Sequence, residues 1–361
     1  MPNAKSPTQK NETREMKPLI IAGPCAAETE NQVLLTARQL QIEMKQIAMS
    51  LAYFRVGVWK PRSKPSDFCG AGKRALKWLA KVQETLQVQV CVEVARPEQI
   101  EFCRDAGINA IWLGARTTVN PFLVQEMADT LQGSDFTVMI KNPVSPDLSL
   151  WIGAIERMRK AGITNLIAIH RGFVERHENI LRNAPAWEIP IELKIRFPEI
   201  PLLCDPSHLT GDRRYIRTIA QEAMNYGFDG LMIETHYNPT IARSDAHQQI
   251  TPKELAYLLD QLDFRTELET REFANMSKER EQLSVIDEQI AQLLAKRMRV
   301  VDKIALLKKE YHLPIVQPNR WQKVVEQYLS HSLQDNNYQE FIIKFLELLH
   351  QNSIKRQNKS L

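Results

Sequence analysis

Four side chains that commonly bind metal ions lie far apart in this sequence: Cys25, His208, Glu234 and Asp245. A thiolate, an imidazole and two carboxylates combine soft and hard ligands, which suits a divalent first-row metal with an open coordination position better than a closed structural zinc site. The alternative is that Cys25 is a small buried residue and His208 an ordinary loop residue. The metal interpretation requires a fold that brings the beginning and the end of this region together.

Six basic side chains form a second group of candidates. One Lys or Arg alone is most often a solvated surface charge, but several at one edge of a fold would repel each other unless an anion lay among them. Phosphate and carboxylate are the natural partners, and the planar guanidinium of Arg matches both. The six candidates are Arg55, Lys60, Arg62, Arg116, Lys141 and Arg171.

The elements that must position these residues are short apolar runs, which alternate with helical patterns from Lys17 to about Leu262. Eight such runs, each followed by a helical stretch, indicate parallel βαβ units. We predict a (β/α)8 TIM barrel, which places strand eight beside strand one and gathers active sites at the carboxyl ends of the strands. An open, doubly wound sheet is the alternative. The predicted strands are Leu19–Ala22, Tyr53–Val56, Val88–Val94, Ala110–Leu113, Thr137–Ile140, Leu166–Ile169, Leu202–Cys204 and Gly230–Ile233.

Nearly every predicted strand is followed by a side chain that can do chemistry. Besides the metal and cation candidates, Glu93, His170 and Asp205 occupy this position. A barrel would therefore place all of them at one rim.

The composition argues against several classes of protein. A net charge of +4, from 47 basic and 43 acidic residues, is too mild for a nucleic-acid binder. The five Cys are scattered through apolar stretches, which indicates a reducing compartment rather than a disulfide framework. No run reaches the ~18 apolar residues of a membrane helix, and residues 1–17 lack the apolar core of a signal peptide. We expect a cytoplasmic protein with no membrane or nucleic-acid partner.

The composition changes after Leu262, which indicates a second domain. From about Ser277 onward there is no glycine, and the pattern predicts three helices, near 277–310, 319–331 and 338–357. We assign a polar N-terminal segment, a barrel domain, a linker and an all-α domain to residues 1–17, 18–262, 263–276 and 277–361.

The first helix of the all-α domain has charged residues on or beside its apolar stripe. Snorkelling at a helix end would explain Arg280 and Lys308, but Arg297 lies mid-helix and needs an anionic partner. A helix of about 32 residues would be ~48 Å long, more than a unit this small can cover, so we expect an intertwined homodimer. The polar residues directed at the predicted core are Arg280, Arg297, Lys308, Arg320, Ser353 and Gln357.

Seven segments of the barrel region resemble the family of 3-deoxy-D-arabino-heptulosonate 7-phosphate (DAHP) synthases, in its compact bacterial type I-beta branch. These enzymes are (β/α)8 barrels that condense phosphoenolpyruvate with erythrose 4-phosphate in the first step of the shikimate pathway. The likeness covers roughly residues 17–262. The segments, in order, are IAGPCAAE, FRVGVWKPRSKP, WLGARTTVNPF, MIKNPVSPD, IHRGF, CDPSHLTGDR and IETHYNP with SDAHQQ.

The resemblance implies a role for each candidate. Cys25, His208, Glu234 and Asp245 would bind a divalent metal, most simply Mn²⁺, that polarises the aldehyde of erythrose 4-phosphate. Lys60 and His208 would act in catalysis. The cradle of phosphoenolpyruvate would be Arg55, Lys60, Arg116, Lys141 and Arg171, and the aldose phosphate would contact Arg62 and Ser63.

Residues 275–360 resemble the all-α chorismate mutases, whose isomerisation of chorismate to prephenate needs neither nucleophile nor metal. The resemblance implies that Arg297, Lys308 and Gln357 are catalytic and that one Arg of the first helix reaches the partner subunit. The family's usual Glu after the Arg of the middle helix is Trp321 here, and Gln317 replaces the Asp of many members. Its substrate-binding positions correspond to Arg280, Arg297, Lys308, Arg320, Ser353 and Gln357.

The two resemblances together imply a bifunctional enzyme of aromatic amino acid biosynthesis, a transferase and an isomerase. Three alternatives stay open. The helical domain could be a dimerisation and sensor module with little mutase activity. The barrel could be a lyase or isomerase that uses a Schiff-base Lys, or a related synthase that joins phosphoenolpyruvate to another aldose. We also expect allosteric feedback, in which prephenate bound at Arg297 and Lys308 lowers synthase activity.

Overall fold

The computed structural model describes residues 18–60, 66–174, 180–264, 274–316, 318–329 and 336–360. The chain divides into two compact units, Met1–Glu267 and Leu268–Leu361. No described helix is long and apolar enough to cross a membrane.

Eight parallel strands of the first unit form a closed barrel in sequence order, with the last strand paired to the first. The prediction of a (β/α)8 barrel is confirmed. The open sheet is excluded because each of the eight strands pairs with a neighbour on both sides, which leaves no edge strand. The strands are β1 (Leu19–Gly23), β2 (Tyr53–Val56), β3 (Val90–Val94), β4 (Ala110–Leu113), β5 (Thr137–Lys141), β6 (Leu166–His170), β7 (Leu202–Cys204) and β8 (Gly230–Glu234).

Helices follow the strands and cover the outside of the barrel. Side-chain caps begin several of them: Thr29 accepts a hydrogen bond from Gln32 N, and Thr251 forms a reciprocal capping box with Glu254. Two 3₁₀ turns occupy Arg213–Tyr215 and Pro239–Ile241. The helices are α1 (Glu30–Gln46), α2 (Arg74–Leu86), α3 (Pro97–Asp105), α4 (Ala115–Thr118), α5 (Pro121–Leu131), α6 (Leu148–Lys160), α7 (Glu188–Arg196), α8 (Pro206–Thr210), α9 (Ile216–Asn225) and α10 (Pro252–Asp260).

Strand alternation divides the barrel into an outer layer and an inner core. Ile20 and Ala22 of β1 pack outward against the helices, whereas Ile21 points inward and joins Trp112, Met139 and other inward residues of the remaining strands. The same period of two decides which residue at each carboxyl end faces the barrel axis.

The contact between β1 and β8 closes the barrel and sets the relative height of its two ends. Leu19 pairs with Gly230 and Gly23 with Glu234. A Cβ atom on Gly230 would lie 2.0 Å from the carbonyl oxygen of Leu19, so only glycine fits at the start of this seam. Closure thus brings the loop after β1 beside the end of β8.

The second unit consists of three helices: α11 (Ala274–Glu310), α12 (Pro318–Leu329) and α13 (Asn336–Ser360). They begin and end within a few residues of the predicted helices. Helix α13 packs on both α11 and α12. Val301, Ala305 and Leu346 are buried, but much of the apolar stripe is exposed, including Leu283 at 57% and Leu293 at 64%.

Candidate functional sites

Inward-facing charged residues gather at the carboxyl ends of the barrel strands. We call them the rim cluster: Cys25, Arg55, Lys60, Glu93, Lys141, Asp205, His208, Glu234 and Asp245. Arg55 lies between Phe54 and Val56, which pack outward, and Lys141 follows the outward Ile140, so alternation directs both cations to the axis. Arg55, Asp205 and Glu234 have no exposed surface.

Cys25 and Asp245 meet above the seam between β1 and β8. The Cys25 Sγ donates a hydrogen bond to Asp245 Oδ2 at 3.1 Å, and the backbone N–H of Cys25 donates to Gln249 Oε1 at 3.0 Å. Burial, then the charge of Glu234, raises the pKa of Cys25 to about 12, so the sulfur carries its proton here. The backbone of Asp245 is in the left-handed region at φ 46°, a conformation that Asp tolerates and that is common at functional sites.

His208 lies between two carboxylates. Its Nδ1 is 2.8 Å from Asp205 Oδ2 and its Nε2 is 3.7 Å from Glu234 Oε1. Burial lowers the pKa of His208 in spite of both anions, which favours a neutral ring. We assign the proton to Nδ1 because Asp205 is the nearer carboxylate, and Nε2 then presents a lone pair toward Glu234.

Among the described residues, no three His, Cys, Asp or Glu side chains are arranged as a formed metal centre. The four predicted ligands are instead joined in two pairs, Cys25 with Asp245 and His208 with Glu234. Two features of these residues fit a divalent cation. Glu234 Oε1 is buried and accepts no hydrogen bond of ordinary geometry, and the thiol that would have to ionise is hydrogen-bonded to a carboxylate.

Arg55 is the most deeply placed cation of the barrel. Its Nη2 lies 3.1 Å from Glu234 Oε1 and its guanidinium lies over the ring of Trp112, 5.0 Å from the centroid. Its Nε and Nη1 are buried and make no hydrogen bond. Because a buried donor without a partner is costly, these two nitrogens with their three N–H bonds point to an anionic ligand.

The other predicted cations differ in their surroundings. Lys141 Nζ donates to Asp205 Oδ2 at 2.6 Å, and Lys60 Nζ lies 3.9 Å from Glu93 Oε2. Arg171 is buried and donates to Asn183 Oδ1 at 2.9 Å, whereas Arg116 is exposed on α4. Arg62 and Ser63 lie outside the described residues.

The expectation that every residue after a strand faces the rim is wrong for His170. Its ring points outward from β6 and packs against Trp187, Phe173 and Phe228, with centroids 5.3, 5.6 and 6.2 Å away. Burial lowers the pKa of His170 to about 3, so it acts as a neutral aromatic residue of the outer layer. β6 extends one residue further than predicted, which places Arg171 at the rim instead.

The helical unit contains a second polar group between α11 and α13. Arg297 Nη1 donates to Ser353 Oγ at 2.8 Å, and Ser353 and Gln357 are buried. The Oε1 atom of Gln357 has no hydrogen-bond partner. Lys308 Nζ donates to the carbonyl oxygen of Ile315 at 2.6 Å.

Two predicted residues of the helical unit are not part of this group. Arg280 is exposed near the start of α11, and the side chain of Arg320 lies outside the described ones. Gln317 is also outside the described residues, whereas Trp321 is described and partly buried.

Residues 5–269 match the sequence model of the DAHP synthetase I family. The chain belongs to this family. Residues 279–358 match the model of chorismate mutase type II, so a mutase domain follows the synthase domain. Members of the DAHP synthetase I family generally use a divalent metal.

Similar proteins carry two names, a deoxyheptonate aldolase and a deoxyphosphooctonate aldolase. A phospho-2-dehydro-3-deoxyheptonate aldolase of Thermotoga maritima is 26% identical over 232 residues, 64% of this chain and 64% of the relative. A 2-dehydro-3-deoxyphosphooctonate aldolase of Protochlamydia amoebophila is also 26% identical, over 68% of this chain and 90% of the relative. This chain thus spans just under two thirds of the first relative.

The solved structures agree on the fold. A crystal structure of the Thermotoga maritima phospho-2-dehydro-3-deoxyheptonate aldolase (DAHP synthase) aligns with a TM-score of 0.58 at 24% identity and covers 67% of each chain. A truncated form of the Thermotoga maritima synthase aligns with a TM-score of 0.55 at 22% identity, covering 67% of this chain and 83% of that one.

Within the DAHP synthetase I barrel, the structure adds residues to which the sequence assigned no role. Asp205 joins Lys141 to His208 and also caps α8 through the backbone N–H of His208. Gln248 donates to Glu234 Oε2 at 2.6 Å and accepts from Arg182 at 2.9 Å. The position of Asp205 after β7 was a usable signal, whereas nothing in the spacing marks Gln248 or Arg182.

Replacing Asp205 by Asn is expected to lower the free energy of unfolding by about 3–5 kcal/mol, because Lys141 then remains buried without a counter-ion. Chemical denaturation of the full chain, followed by tryptophan fluorescence, measures this loss. Asp212→Asn is the matched control, since Asp212 pairs with an Arg214 that is 74% exposed and its loss should change stability far less. Equal effects of the two substitutions would contradict the role of the Lys141–Asp205 pair.

Proposed function

We propose that this protein is a bifunctional enzyme that condenses phosphoenolpyruvate with erythrose 4-phosphate and rearranges chorismate to prephenate. The observation that carries the synthase function is the rim cluster. It combines unsatisfied, buried N–H groups of Arg55 with cation-binding side chains on the same barrel rim. The match of residues 279–358 to chorismate mutase supports the second activity.

In the synthase reaction, the cations of the rim bind the phosphate and carboxylate of phosphoenolpyruvate. Arg55 has Nε and Nη1 free for this purpose, and Lys60 and Arg171 follow β2 and β6 in the chain. The C3 carbon of phosphoenolpyruvate attacks the aldehyde carbon of the aldose, water adds at C2, and phosphate leaves by C–O cleavage. Fixed cations stabilise the charge that develops, which is the largest effect available to such a site. The full cradle is Arg55, Lys60, Arg116, Lys141 and Arg171.

Cys25, His208, Glu234 and Asp245 would hold a divalent ion, and we propose Mn²⁺. The ion supplies a Lewis acid for the aldehyde oxygen of the aldose. Asp205 keeps the ring of His208 oriented, with Nε2 directed inward. His208 and Lys60 are then positioned to direct water and protons at the reacting carbons.

The two groups of relatives are named after products of different length, which implies aldose substrates of different length. A heptulosonate product requires a four-carbon aldose phosphate and an octulosonate product a five-carbon one. We propose the four-carbon substrate because the family model that matches the barrel is that of DAHP synthetase I. Arg62 and Ser63 are the proposed contacts for its phosphate. A coupled assay with both aldose phosphates distinguishes the products by chain length.

Removal of the metal is expected to abolish synthase activity, and Mn²⁺ should restore it. Cys25→Ser should weaken metal affinity by at least about 100-fold, since even outer-shell partners of a ligand contribute 10–100-fold. Added Co²⁺ should give the near-ultraviolet absorption of a cobalt–thiolate bond in the unaltered protein and none in Cys25→Ser. Cys69→Ser, which removes an exposed thiol, is the control and should retain the band. Full activity after thorough chelation would favour a metal-free lyase or a Schiff-base mechanism.

The mutase pocket requires a second copy of the chain. Arg280 and Arg297 both lie on α11, about 25 Å apart along the helix, so they cannot contact one small substrate from the same chain. The stretch near Arg280 also carries exposed apolar residues such as Leu283 and Ile286. We propose a homodimer through the helical domain, in which Arg280 of one copy completes the pocket formed by the other. The pocket residues are Arg280, Arg297, Lys308, Arg320, Ser353 and Gln357.

Mixing two inactive variants tests this dimer and the mutase function together. Arg280→Ala and Arg297→Ala should each lose chorismate turnover, and a refolded equimolar mixture should recover about a quarter of the unaltered rate, because half the dimers have one intact pocket. A mixture of Arg297→Ala with Lys308→Ala is the control and should recover nothing. Failure of the unaltered chain to consume chorismate would favour the alternative, a dimerisation and sensor module.

Prephenate is proposed to lower the synthase rate by binding at Arg297 and Lys308. The coupled synthase assay should show inhibition at saturating prephenate in the unaltered chain and little in Arg297→Ala, because the carboxylates of prephenate need the guanidinium. An unchanged synthase rate at saturating prephenate would contradict the feedback.

A cytoplasmic location is also proposed, on the ground that the five cysteines are unpaired.

A further inference from the structure

One residue beside the proposed mutase pocket has no role yet. His350 lies on α13, three residues before Ser353 and seven before Gln357, so the three side chains share one face of the helix. Its ring stacks on the indole of Trp321 from α12, with centroids 4.4 Å apart and planes 22° from parallel. The imidazole thus lies on the same face of α13 as Ser353 and Gln357, within the electrostatic influence of Arg297.

The surroundings of His350 favour an uncharged ring. Burial lowers its pKa first, and the cations Arg297 and Lys308 of α11 lower it further. A neutral imidazole has one donor and one acceptor nitrogen, unlike the cations beside it, which only donate.

Chorismate, the substrate of the proposed mutase activity, needs a partner that can both donate and accept a hydrogen bond. Chorismate carries two carboxylates, an ether oxygen and a ring hydroxyl. The Arg and Lys side chains suit the carboxylates, and Lys308 and Gln357 suit the ether oxygen. A hydroxyl both donates and accepts, and by the resemblance to the all-α chorismate mutases Trp321 occupies the position of that family's usual Glu. The indole offers only an N–H donor, so it cannot replace a carboxylate as acceptor.

We propose that His350 hydrogen-bonds the ring hydroxyl of chorismate and that Trp321 positions the imidazole by stacking. The inference rests on the proposed mutase function. It assigns the hydroxyl contact to His350 on α13 instead of to the position of Trp321 on α12. His350 is the substrate-binding group, and Trp321 acts only through it.

A comparison of two substrates tests the contact in the full-length protein. His350→Ala should lower kcat/KM for chorismate about tenfold, the upper range of one hydrogen bond, and change it less than about twofold for an analogue that lacks the ring hydroxyl. His350→Gln, which keeps a neutral donor and acceptor, should recover part of the loss. Trp321→Ala should act like His350→Ala, whereas Trp321→Phe should preserve the stack. Gln351→Ala, at the exposed neighbouring position of α13, is the control and should have no effect.

The outcomes separate this inference from the function on which it rests. Equal losses on both substrates would show a packing role and overturn the hydroxyl contact, as would an unaffected His350→Ala. Absence of chorismate turnover in the unaltered protein would overturn the mutase function itself. Circular dichroism and the synthase rate of each variant establish that it is folded.

Discussion

Compensation of buried charge is the constraint on which the barrel of this protein depends. Three cations, Arg55, Lys60 and Lys141, point into a closed barrel, where an unpaired charge would be prohibitive. Each faces an acid that lies at the end of another strand or just after it: Glu234, Glu93 and Asp205 respectively. The fold therefore tolerates these charges only when the strands that carry the paired residues are in register. The same ion pairs therefore stabilise the barrel and form part of the rim cluster.

This compensation is incomplete at Arg55, whose Nε and Nη1 are buried without a hydrogen-bond partner, and this is the feature on which the proposed binding site rests. Glu234 is shared among the guanidinium of Arg55, the ring of His208 and the amide of Gln248. A cation that drew Glu234 Oε1 toward itself would weaken its pairing with Arg55 and leave that guanidinium more available to an anion. If the rim binds both ions as proposed, their binding would thus be coupled through one carboxylate, in a region where low dielectric strengthens such coupling.

The sequence predicted the elements well because the barrel is built from local patterns. Seven of the eight strands begin where expected, and β3 begins two residues late because Gln87 ends α2 in the left-handed conformation. Closure of the barrel accounts for the two observed pairs, Cys25 with Asp245 and His208 with Glu234, and their joint binding of a metal stays a prediction. What could not be predicted is which partner each charge selects. The Lys141–Asp205 and Glu234–Gln248 contacts depend on side-chain reach across the barrel, and the outward turn of His170 depends on where β6 ends.

In the helical unit, the local pattern specifies the helix, but a single copy does not bury the apolar residues of that helix. Its apolar stripe forms a regular helix of 37 residues, about 55 Å long, but α12 and α13 cover only part of it in one copy. Full burial of a Leu or Ile stabilises by roughly 1.5–3 kcal/mol, and these side chains are about half exposed, so a lone copy of this unit lacks part of the stabilisation that its sequence can provide. Arg297 and Ser353 are already joined within one chain, whereas Arg280 is far along the same helix. In the proposed dimer, one second chain would complete both the core and the pocket, and assembly of the helical domain would then be a condition of its chemistry.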